Sequence, residues 1–293
     1  MFRLSFLTPF RSHCLASALS AVPSVHELEG IARSLRRHIV RMIAAANSGH
    51  PGGSLSAVEI ITALYFGGVL RHDPKRPDWP DRDRFILSKG HGVPAQYAAL
   101  AESGYFPVSE LTTLRQVNSR LQGHPVQGSL PGIEASTGSL GQGLSIGIGH
   151  AIAARLDGRH YRTYVLLGDG ECQEGQVWEA ALTAPNYELS TLTAIVDVNR
   201  YQLDGAVEDI NSLEPFADKW RAYRWHVLVI DGHDLVAVLN ALHDAREPRD
   251  VPTCILARTV KGKGVTFMEN NNEFHGKAPN KEQLEVALSQ LEE

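Results

Sequence analysis

Cysteine is scarce in this chain of 293 residues, and the three cysteines present lie far apart. Cys14, Cys172 and Cys254 form no Cys-x-x-Cys pair. An odd number of widely spaced cysteines argues against a disulfide framework and against a structural zinc site. We therefore expect a reducing compartment, and the predicted location is cytoplasmic.

Long apolar runs and an excess of positive charge are also missing. No stretch reaches the roughly 18 apolar residues that a membrane helix needs, and the best candidate, residues 144–154, is short and interrupted by glycines and His150. Lysine and arginine total 28 against 33 acidic residues, a formal net charge of −5. The lack of a long apolar run argues against a membrane-spanning helix. The acidic balance, without a long basic run, argues against nucleic-acid binding.

The first 26 residues contain no acidic residue, and the first one in the chain is Glu27. Arg3, Arg11 and several serines occur in the same segment, a composition that organelle transit peptides share. The simpler interpretation, which we adopt, is a disordered extension or a start codon placed too far upstream. We therefore expect residues 1–26 to be an extension and the folded domain to span residues 27–293.

Hydrophobic periodicity predicts several helices. Ser24-x-x-Glu27 has the pattern of a capping box ahead of an amphipathic helix that ends near Ala46. Ser56-x-x-Glu59 has the same pattern ahead of a second helix through Leu64. Further helices are predicted at residues 95–103, 174–184, 235–243 and 281–291.

Buried strands are predicted between these helices, at residues 84–87, 163–167, 191–198, 227–230 and 253–259. Strands that alternate with helices imply an α/β fold: a single doubly wound domain with a mostly parallel sheet flanked by helices. Residues 118–139, rich in glycine, proline, serine and glutamine, predict a long irregular segment. Such a segment inside a compact domain is usually functional.

The common nucleotide-binding motifs are absent from the sequence. Gly138-x-x-Gly141-x-Gly143 has the wrong order for a dinucleotide fingerprint, and neither Gly262-Lys263 nor Gly276-Lys277 is followed by the serine or threonine of a P-loop. A Rossmann dehydrogenase and a P-loop NTPase are therefore disfavoured.

Two other segments come directly after neighbouring predicted strands. Strand 163–167 runs into Gly168-Asp169-Gly170-Glu171, and the next strand runs into Asn199-Arg200-Tyr201. Because parallel strands present their carboxyl ends at one edge of a sheet, we expect Asp169 and Asn199 to lie at the same edge. A carboxylate, an amide oxygen and a backbone carbonyl suit Mg²⁺ or Ca²⁺ and leave positions for a diphosphate and a water.

Gly-Asp-Gly followed by this asparagine resembles the magnesium–diphosphate signature of thiamine-diphosphate enzymes. The surrounding segments are similar to transketolase in particular, in the family's order from about residue 30 to 280. They are Gly49-His50-Pro51-Gly52-Gly53, Ser88-Lys89-Gly90-His91-Gly92, Gly123-His124-Pro125, Thr137-Gly138-Ser139-Leu140-Gly141-Gln142-Gly143, Gly168-Asp169-Gly170-Glu171-Cys172-Gln173-Glu174-Gly175, Asp197-Val198-Asn199, Asp204-Gly205 and Phe274-His275-Gly276. The resemblance implies a diphosphate-binding domain with thiamine diphosphate and Mg²⁺ as cofactors, Ca²⁺ or Mn²⁺ being possible substitutes.

The resemblance also implies roles for individual residues. The metal would be held by Asp169, Asn199 and the Tyr201 carbonyl. The cofactor would be contacted by His91, Gly138, Ser139, Leu140, Gly168, Asp169, Gly170, Glu171, Asn199 and His275. Catalysis would involve His50, His91, His124 and His275, of which His50 and His124 would face the sugar, since histidine has a pKa near working pH. Glu174 would meet the partner half.

The resemblance covers only the first domain of a transketolase, the one that binds the diphosphate. The second, pyrimidine-binding domain carries the glutamate that activates the cofactor and most of the groups that grip sugar phosphates. We therefore expect the N-terminal subunit of a split transketolase, inactive until a C-terminal subunit joins it, with α₂β₂ as the expected assembly. The expected reaction transfers a two-carbon ketol unit from a ketose phosphate to an aldose phosphate.

Two alternatives remain open from the sequence alone. The α-subunit of a 2-oxo-acid dehydrogenase decarboxylase component is also a split thiamine-diphosphate chain, but its motif usually continues with a second asparagine where Arg200 stands here. A non-catalytic, partner-binding remnant is expected to have eroded ligands, whereas Asp169, Asn199 and the four loop histidines are all present. The sugar could belong to the pentose phosphate pathway or to a specialised catabolic route.

Overall fold

Five parallel strands form the centre of the structure, a computed structural model that describes residues 22–292. The strands are β1 (Arg84–Leu87), β2 (Thr163–Gly168), β3 (Leu192–Val198), β4 (His226–Asp231) and β5 (Thr253–Arg258). The helices are α1 (Val25–Ala46), α2 (Pro51–Leu55), α3 (Val58–Phe66), α4 (Val93–Glu102), α5 (Gln142–Leu156), α6 (Gly175–Asn186), α7 (Val207–Asn211), α8 (Phe216–Ala222), α9 (Leu235–Asp244) and α10 (Lys281–Gln290). Short 3₁₀ helices cover Gly90–Gly92, Val108–Thr113, Gly170–Gln173 and Asn272–His275.

The sheet has the strand order β1-β2-β3-β5-β4, and each neighbouring pair is parallel. The predicted α/β fold with a parallel sheet is confirmed. Because all five strands run the same way, the loops that leave their carboxyl ends meet at one edge of the sheet. In the register of β2 and β3, Gly168 lies opposite Asp197, so Asp169 and Asn199 leave the sheet side by side.

Side chains of the strands alternate between two hydrophobic clusters, one on each face of the sheet. Tyr164 and Leu166 of β2 pack into a cluster with α1, α3, α4, α9 and α10, while Val165 and Leu167 pack into another with α5, α6 and α8. Burial of apolar surface on both faces is the main favourable contribution to folding of such a layered domain. The sheet edge that carries the site is therefore held between two packed layers.

Helix α1 begins as the sequence predicts. Ser24 is its N-cap, and a capping box joins Ser24 and Glu27, with the Glu27 carboxylate accepting the Ser24 N–H at 2.7 Å. Asn47 ends the helix in the left-handed conformation, with φ of 47°. The helix starts at Val25, just inside the segment assigned to an extension, and residues 1–21 of that segment lie outside the described residues.

The second predicted capping box is wrong. Helix α3 begins at Val58 with Ala57 as its N-cap and no side-chain cap. The Ser56 hydroxyl instead donates to the carboxylate of Asp197 at 2.6 Å. A hydrogen bond to a charged acceptor is stronger than one between neutral groups, so the serine serves the sheet edge rather than the helix.

Helix α5 was not predicted, because its glycines lower helix propensity. A Cβ on Gly147 would lie 2.5 Å from the Val165 side chain of β2, so glycine lets the helix sit directly on the sheet. Residues 144–154, the best candidate for a membrane span, belong to this helix. None of the helices described combines the length and the hydrophobicity needed to span a bilayer.

The contact between α5 and β2 can be tested with two glycines of the same helix. Gly147→Ala should destabilise the chain by about 1–3 kcal/mol, because the added methyl group overpacks a stiff valine. Gly149→Ala should be neutral or stabilising by up to about 1 kcal/mol, since nothing lies within 4 Å of the position that its methyl group would take. Urea unfolding measures both, and equal stability of the two variants would contradict the packing described.

Candidate active site

The carboxylate of Asp169 lies against the loop that comes after β3. Its two oxygens accept the N–H of Arg200 at 2.5 Å and the N–H of Gly170 at 2.8 Å. The Asp169 N–H in turn donates to the Asp197 carbonyl of β3 at 3.2 Å. The backbone directly after Asn199 therefore touches the Asp169 carboxylate, as the predicted pairing of the two strand ends requires.

The side chain of Asp169 is buried and has no ion-pair partner in the part of the chain that the structure describes. It is 3% exposed, and no lysine or arginine among residues 22–292 forms an ion pair with it. Burial, followed by the neighbouring charge of Asp197, raises the pKa of Asp169 to about 7. A buried carboxylate in this state is expected to pair with a cation, and its oxygen-rich surroundings suit a hard divalent ion.

The loop that carries the other predicted metal ligands turns back on itself. The side-chain oxygen of Asn199 accepts the Tyr201 N–H at 3.1 Å, and Tyr201 pairs with Ala206 in an isolated antiparallel bridge. A Cβ on Gly170 would lie 2.6 Å from that of Gln202, so only glycine lets the turn after β2 rest on this loop. Gly170 thus has a packing reason to be glycine, beside its predicted approach to the diphosphate.

Glu171, predicted to contact the cofactor, is engaged in structural hydrogen bonds. Its buried carboxylate accepts the Ser88 hydroxyl at 2.5 Å, the Gly168 N–H at 2.9 Å and the Gly141 N–H at 3.0 Å. These three donors come from the ends of β1 and β2 and from the turn before α5. Glu171 therefore links three segments that border the site, and these hydrogen bonds engage both of its carboxylate oxygens.

Four histidines from four separate segments meet beside this edge. The ring of His50 lies 5.4 Å from that of His91, 5.7 Å from that of His275 and 6.0 Å from that of His124, centroid to centroid. His91 and His275 stack at 5.4 Å. All four catalytic histidines predicted from the sequence are thus brought together.

These histidines are held in the neutral form. Burial is the main cause, and neighbouring cations add to it: the pKa falls to about 4 for His50 and to about 3 for His275. The pKa of His91 lies well below its usual value, and the pKa of His124 is lowered as well. The buried Nδ1 atom of His50 has no hydrogen-bond partner among the residues described.

The glycine-rich turn at residues 138–141 borders the histidines. Gly138 has φ of 137°, and a Cβ there would lie 3.0 Å from the ring of His124. Thr137 fastens the turn by donating from its hydroxyl to the Leu87 carbonyl at 2.7 Å. Ser139, a predicted cofactor contact, is exposed in this turn, and Leu140 beside it is half-buried.

Sequence reasoning missed Lys261. This side chain is 1% exposed, and its ammonium donates to His275 Nδ1 at 2.8 Å and to the Asn272 amide oxygen at 3.0 Å. Burial lowers the pKa of Lys261 to about 8. Its position just past the predicted strand 253–259 is the signal that could have revealed it, since the same argument selected Asp169.

An open cleft of about 1210 Å³ borders the sheet edge at Asp169. Asp169, Tyr201 and Thr259 contribute to its wall, together with residues at the ends of β4 and β5. None of the four histidines lines it. The carboxylate of Asp169 is therefore adjacent to a space large enough for a ligand, and the four histidines lie outside the wall of that space.

Residues 29–291 match the family model described as "Transketolase, thiamine diphosphate binding domain". The chain belongs to the transketolase family. It is 43% identical over 266 residues to the 6-deoxy-6-sulfo-D-fructose transketolase subunit SqwG of Clostridium sp. (strain MSTE9), covering 91% of this chain and 96% of that protein. It is 44% identical to an apulose-4-phosphate transketolase subunit of Actinobacillus succinogenes, covering 92% and 98%.

Solved transketolases share the fold but are longer. The structure of transketolase from Campylobacter jejuni superimposes with a TM-score of 0.87 at 32% identity, and the match covers 92% of this chain and 43% of that one. The chain thus spans less than half the length of this transketolase and nearly all of the two transketolase subunits. The family predicted from the sequence is confirmed, and it favours transketolase over the 2-oxo-acid dehydrogenase alternative.

The neutral histidines of this transketolase domain predict a loss of stability in mild acid. The unfolded chain takes up protons at histidine below about pH 6.5, whereas folded His50, with its pKa of about 4, resists protonation until lower pH. Stability should therefore fall as the pH drops from about 6.5 towards 4. Replacing His50 with glutamine removes one such group, so the free energy of unfolding should fall less steeply with decreasing pH. The slope should change by less than about 1.4 kcal/mol per pH unit, because the His50 ring is partly hydrated.

Urea unfolding of the apo chain at several pH values measures this effect. His26→Gln, a change of the same kind at an exposed ring on α1, serves as the matched control and should retain the wild-type curve. The same slope in the wild type and in His50→Gln would show that this histidine is protonated in the folded chain.

Proposed function

We propose that this chain is the N-terminal subunit of a two-chain transketolase that depends on thiamine diphosphate and Mg²⁺. It transfers a two-carbon ketol unit from a ketose phosphate to an aldose phosphate, and it does so only with a second chain that supplies the pyrimidine-binding half. Family membership supports the reaction class. The observation that carries the proposal is the buried carboxylate of Asp169 against the Asn199 loop, in a chain that also brings its four loop histidines together.

The donors at the sheet edge fit a magnesium ion bound to a diphosphate. Asp169, the amide oxygen of Asn199 and the carbonyl of Tyr201 would supply one charged and two neutral oxygens, and Mg²⁺ prefers such ligands together with phosphate oxygens and water. Ca²⁺ or Mn²⁺ could replace it, because both accept oxygen ligands. Lys261 would add a positive charge toward the anionic ligand.

When bound, the cofactor would supply the electron sink for breaking and forming a carbon–carbon bond next to a carbonyl. The histidines would orient the sugar and move protons to and from its hydroxyls. Lys261 can only donate to His275 Nδ1, so the ring proton of neutral His275 lies on Nε2 and can be donated into the site. His50 offers its unpartnered Nδ1, and with His124 it would face the sugar.

The second chain would complete the site from outside. Both of the relatives described above are named as transketolase subunits, and this chain spans nearly their whole length. Glu174 is exposed at the start of α6, where it is available to meet another polypeptide. An α₂β₂ assembly in the cytoplasm agrees with this division of the enzyme into two halves.

The substrates are proposed at the level of sugar phosphates. The two relatives are named for different sugars, 6-deoxy-6-sulfo-D-fructose and apulose 4-phosphate. The chain is nearly equally identical to these two relatives, so the comparison supports ketol transfer and does not select one sugar donor. A panel of donors should therefore include both ordinary and unusual ketoses.

The test is to produce this chain together with the product of the adjacent open reading frame and to assay ketose donors with thiamine diphosphate and Mg²⁺. Ketol transfer should require both chains and should disappear when the metal is chelated. Asp169→Ala should lower metal-dependent cofactor binding at least ~10-fold, because the only charged ligand of the proposed set is lost (about 1.4 kcal/mol per factor of ten). Full activity of this chain alone, or unchanged cofactor binding by Asp169→Ala, would overturn the proposal.

The role of His124 can be separated from that of the cofactor site. His124→Ala should slow turnover and raise the donor KM by about tenfold, the effect of losing one or two hydrogen bonds to the sugar, while cofactor affinity stays nearly constant. His160→Ala changes an exposed histidine beyond α5 and is the control. A selective loss of cofactor binding in His124→Ala would reassign this residue to the cofactor.

A further inference from the structure

One buried carboxylate, that of Asp197, lies next to the side chain of Asn199. Asp197 is 0% exposed and accepts hydrogen bonds from four side chains: the Ser56 hydroxyl at 2.6 Å, the Asn199 amide at 3.1 Å, the Lys89 ammonium and the Thr259 hydroxyl. The proposed mechanism gives this acid no part, and it is no ligand in the donor set of the metal.

The contact with Asp197 decides which way the Asn199 amide points. A carboxylate held by an ammonium and two hydroxyl donors acts as an acceptor, so the Asn199 atom at 3.1 Å is its NH₂ group. At the other end of the same amide, the oxygen accepts the Tyr201 N–H at 3.1 Å. In a flipped amide, the Asn199 oxygen would face the Asp197 carboxylate and its NH₂ group would face the Tyr201 N–H. Both contacts are therefore satisfied in one orientation only.

We propose that Asp197 is a positioning residue, which fixes the Asn199 amide with its oxygen away from the strand and available to the metal. The inference rests on the proposed function, because it concerns the same metal site. Asp197 itself stays behind the ligand and touches neither metal nor substrate. Partners of this kind, which orient a metal ligand from behind, commonly change metal affinity by about 10- to 100-fold when they are replaced.

The other donors explain why the carboxylate can hold the amide. Lys89 is itself fixed, since its ammonium also donates to the Gly53 carbonyl at 2.8 Å. Ser56 and Thr259 approach from two further segments, after α2 and after β5. With donors on several sides, the Asp197 carboxylate has no freedom to turn away from Asn199.

The experiment measures metal binding without turnover. The complex of this chain and its partner chain is dialysed against Mn²⁺ in the presence of thiamine diphosphate, and bound Mn²⁺ is counted. Asp197→Asn should weaken Mn²⁺ binding at least ~10-fold, because the amide at residue 199 is no longer oriented. Asp83→Asn is the matched control, since Asp83 is an equally buried acid paired with Arg71 at the opposite end of β1; it should lower Tm and leave Mn²⁺ affinity unchanged.

The same substitution made in an Asn199→Asp protein separates an effect on the orientation of residue 199 from an effect on the stability of the chain. In Asn199→Asp both side-chain oxygens are equivalent, so no partner is needed to orient them. In that background Asp197→Asn should leave Mn²⁺ binding unchanged or strengthen it, since a repulsion between two acids is removed. Equal losses in both backgrounds would mean that Asp197 serves stability alone, and the inference would be overturned.

A paired substitution deals with misfolding of the single variant. Asp197→Asn leaves Lys89 buried without a counter-charge, which is strongly destabilising. The double variant K89M/D197N removes both charges, and Mn²⁺ binding should remain at least ~10-fold weaker in it. Wild-type affinity in this double variant would overturn the inference, whereas failure of the wild-type complex to bind Mn²⁺ with thiamine diphosphate would overturn the proposed function itself.

Discussion

The buried pair of Lys89 and Asp197 is the interaction on which the site's geometry depends. A buried ion pair is tolerated only when the remaining hydrogen-bonding capacity of both groups is filled, and here Ser56, Thr259 and Asn199 fill that of the acid. Each of these donors lies within a few residues of a loop that carries a site residue. One carboxylate at the end of a central strand therefore holds together loops that are distant in the sequence.

Around this pair, burial shifts the ionisation of several polar groups in one direction, toward the uncharged form. It lowers the pKa of His50, His275 and Lys261, and it raises the pKa of Asp169. Of these groups, His50 and His275 carry no charge at neutral pH before the site is loaded. In the proposed enzyme, a divalent cation and a diphosphate would then interact strongly with it, because water that would screen them is excluded.

The sheet edge could be predicted from the sequence because strands 163–167 and 191–198 are largely apolar runs, and the residues immediately after each run are polar. Helix α5 could not, since the reason for Gly147 is a valine on β2 rather than any local pattern. Ser56 shows the same limit, because its hydroxyl donates to an acid 141 positions away. The histidine-containing segments were recognisable as a family resemblance, yet their convergence required the tertiary structure, as did the burial of Lys261.

The strand order has a consequence for how the chain is made. β4 lies at an edge of the described sheet beside β5, and β5, the last of the five strands to be synthesised, must insert between β4 and β3. His275 emerges later still, and without it the histidine cluster is incomplete. During translation, which delivers the N-terminal parts first, β1, β2 and β3 can therefore pair before the β5 side of the sheet edge and the complete histidine cluster exist.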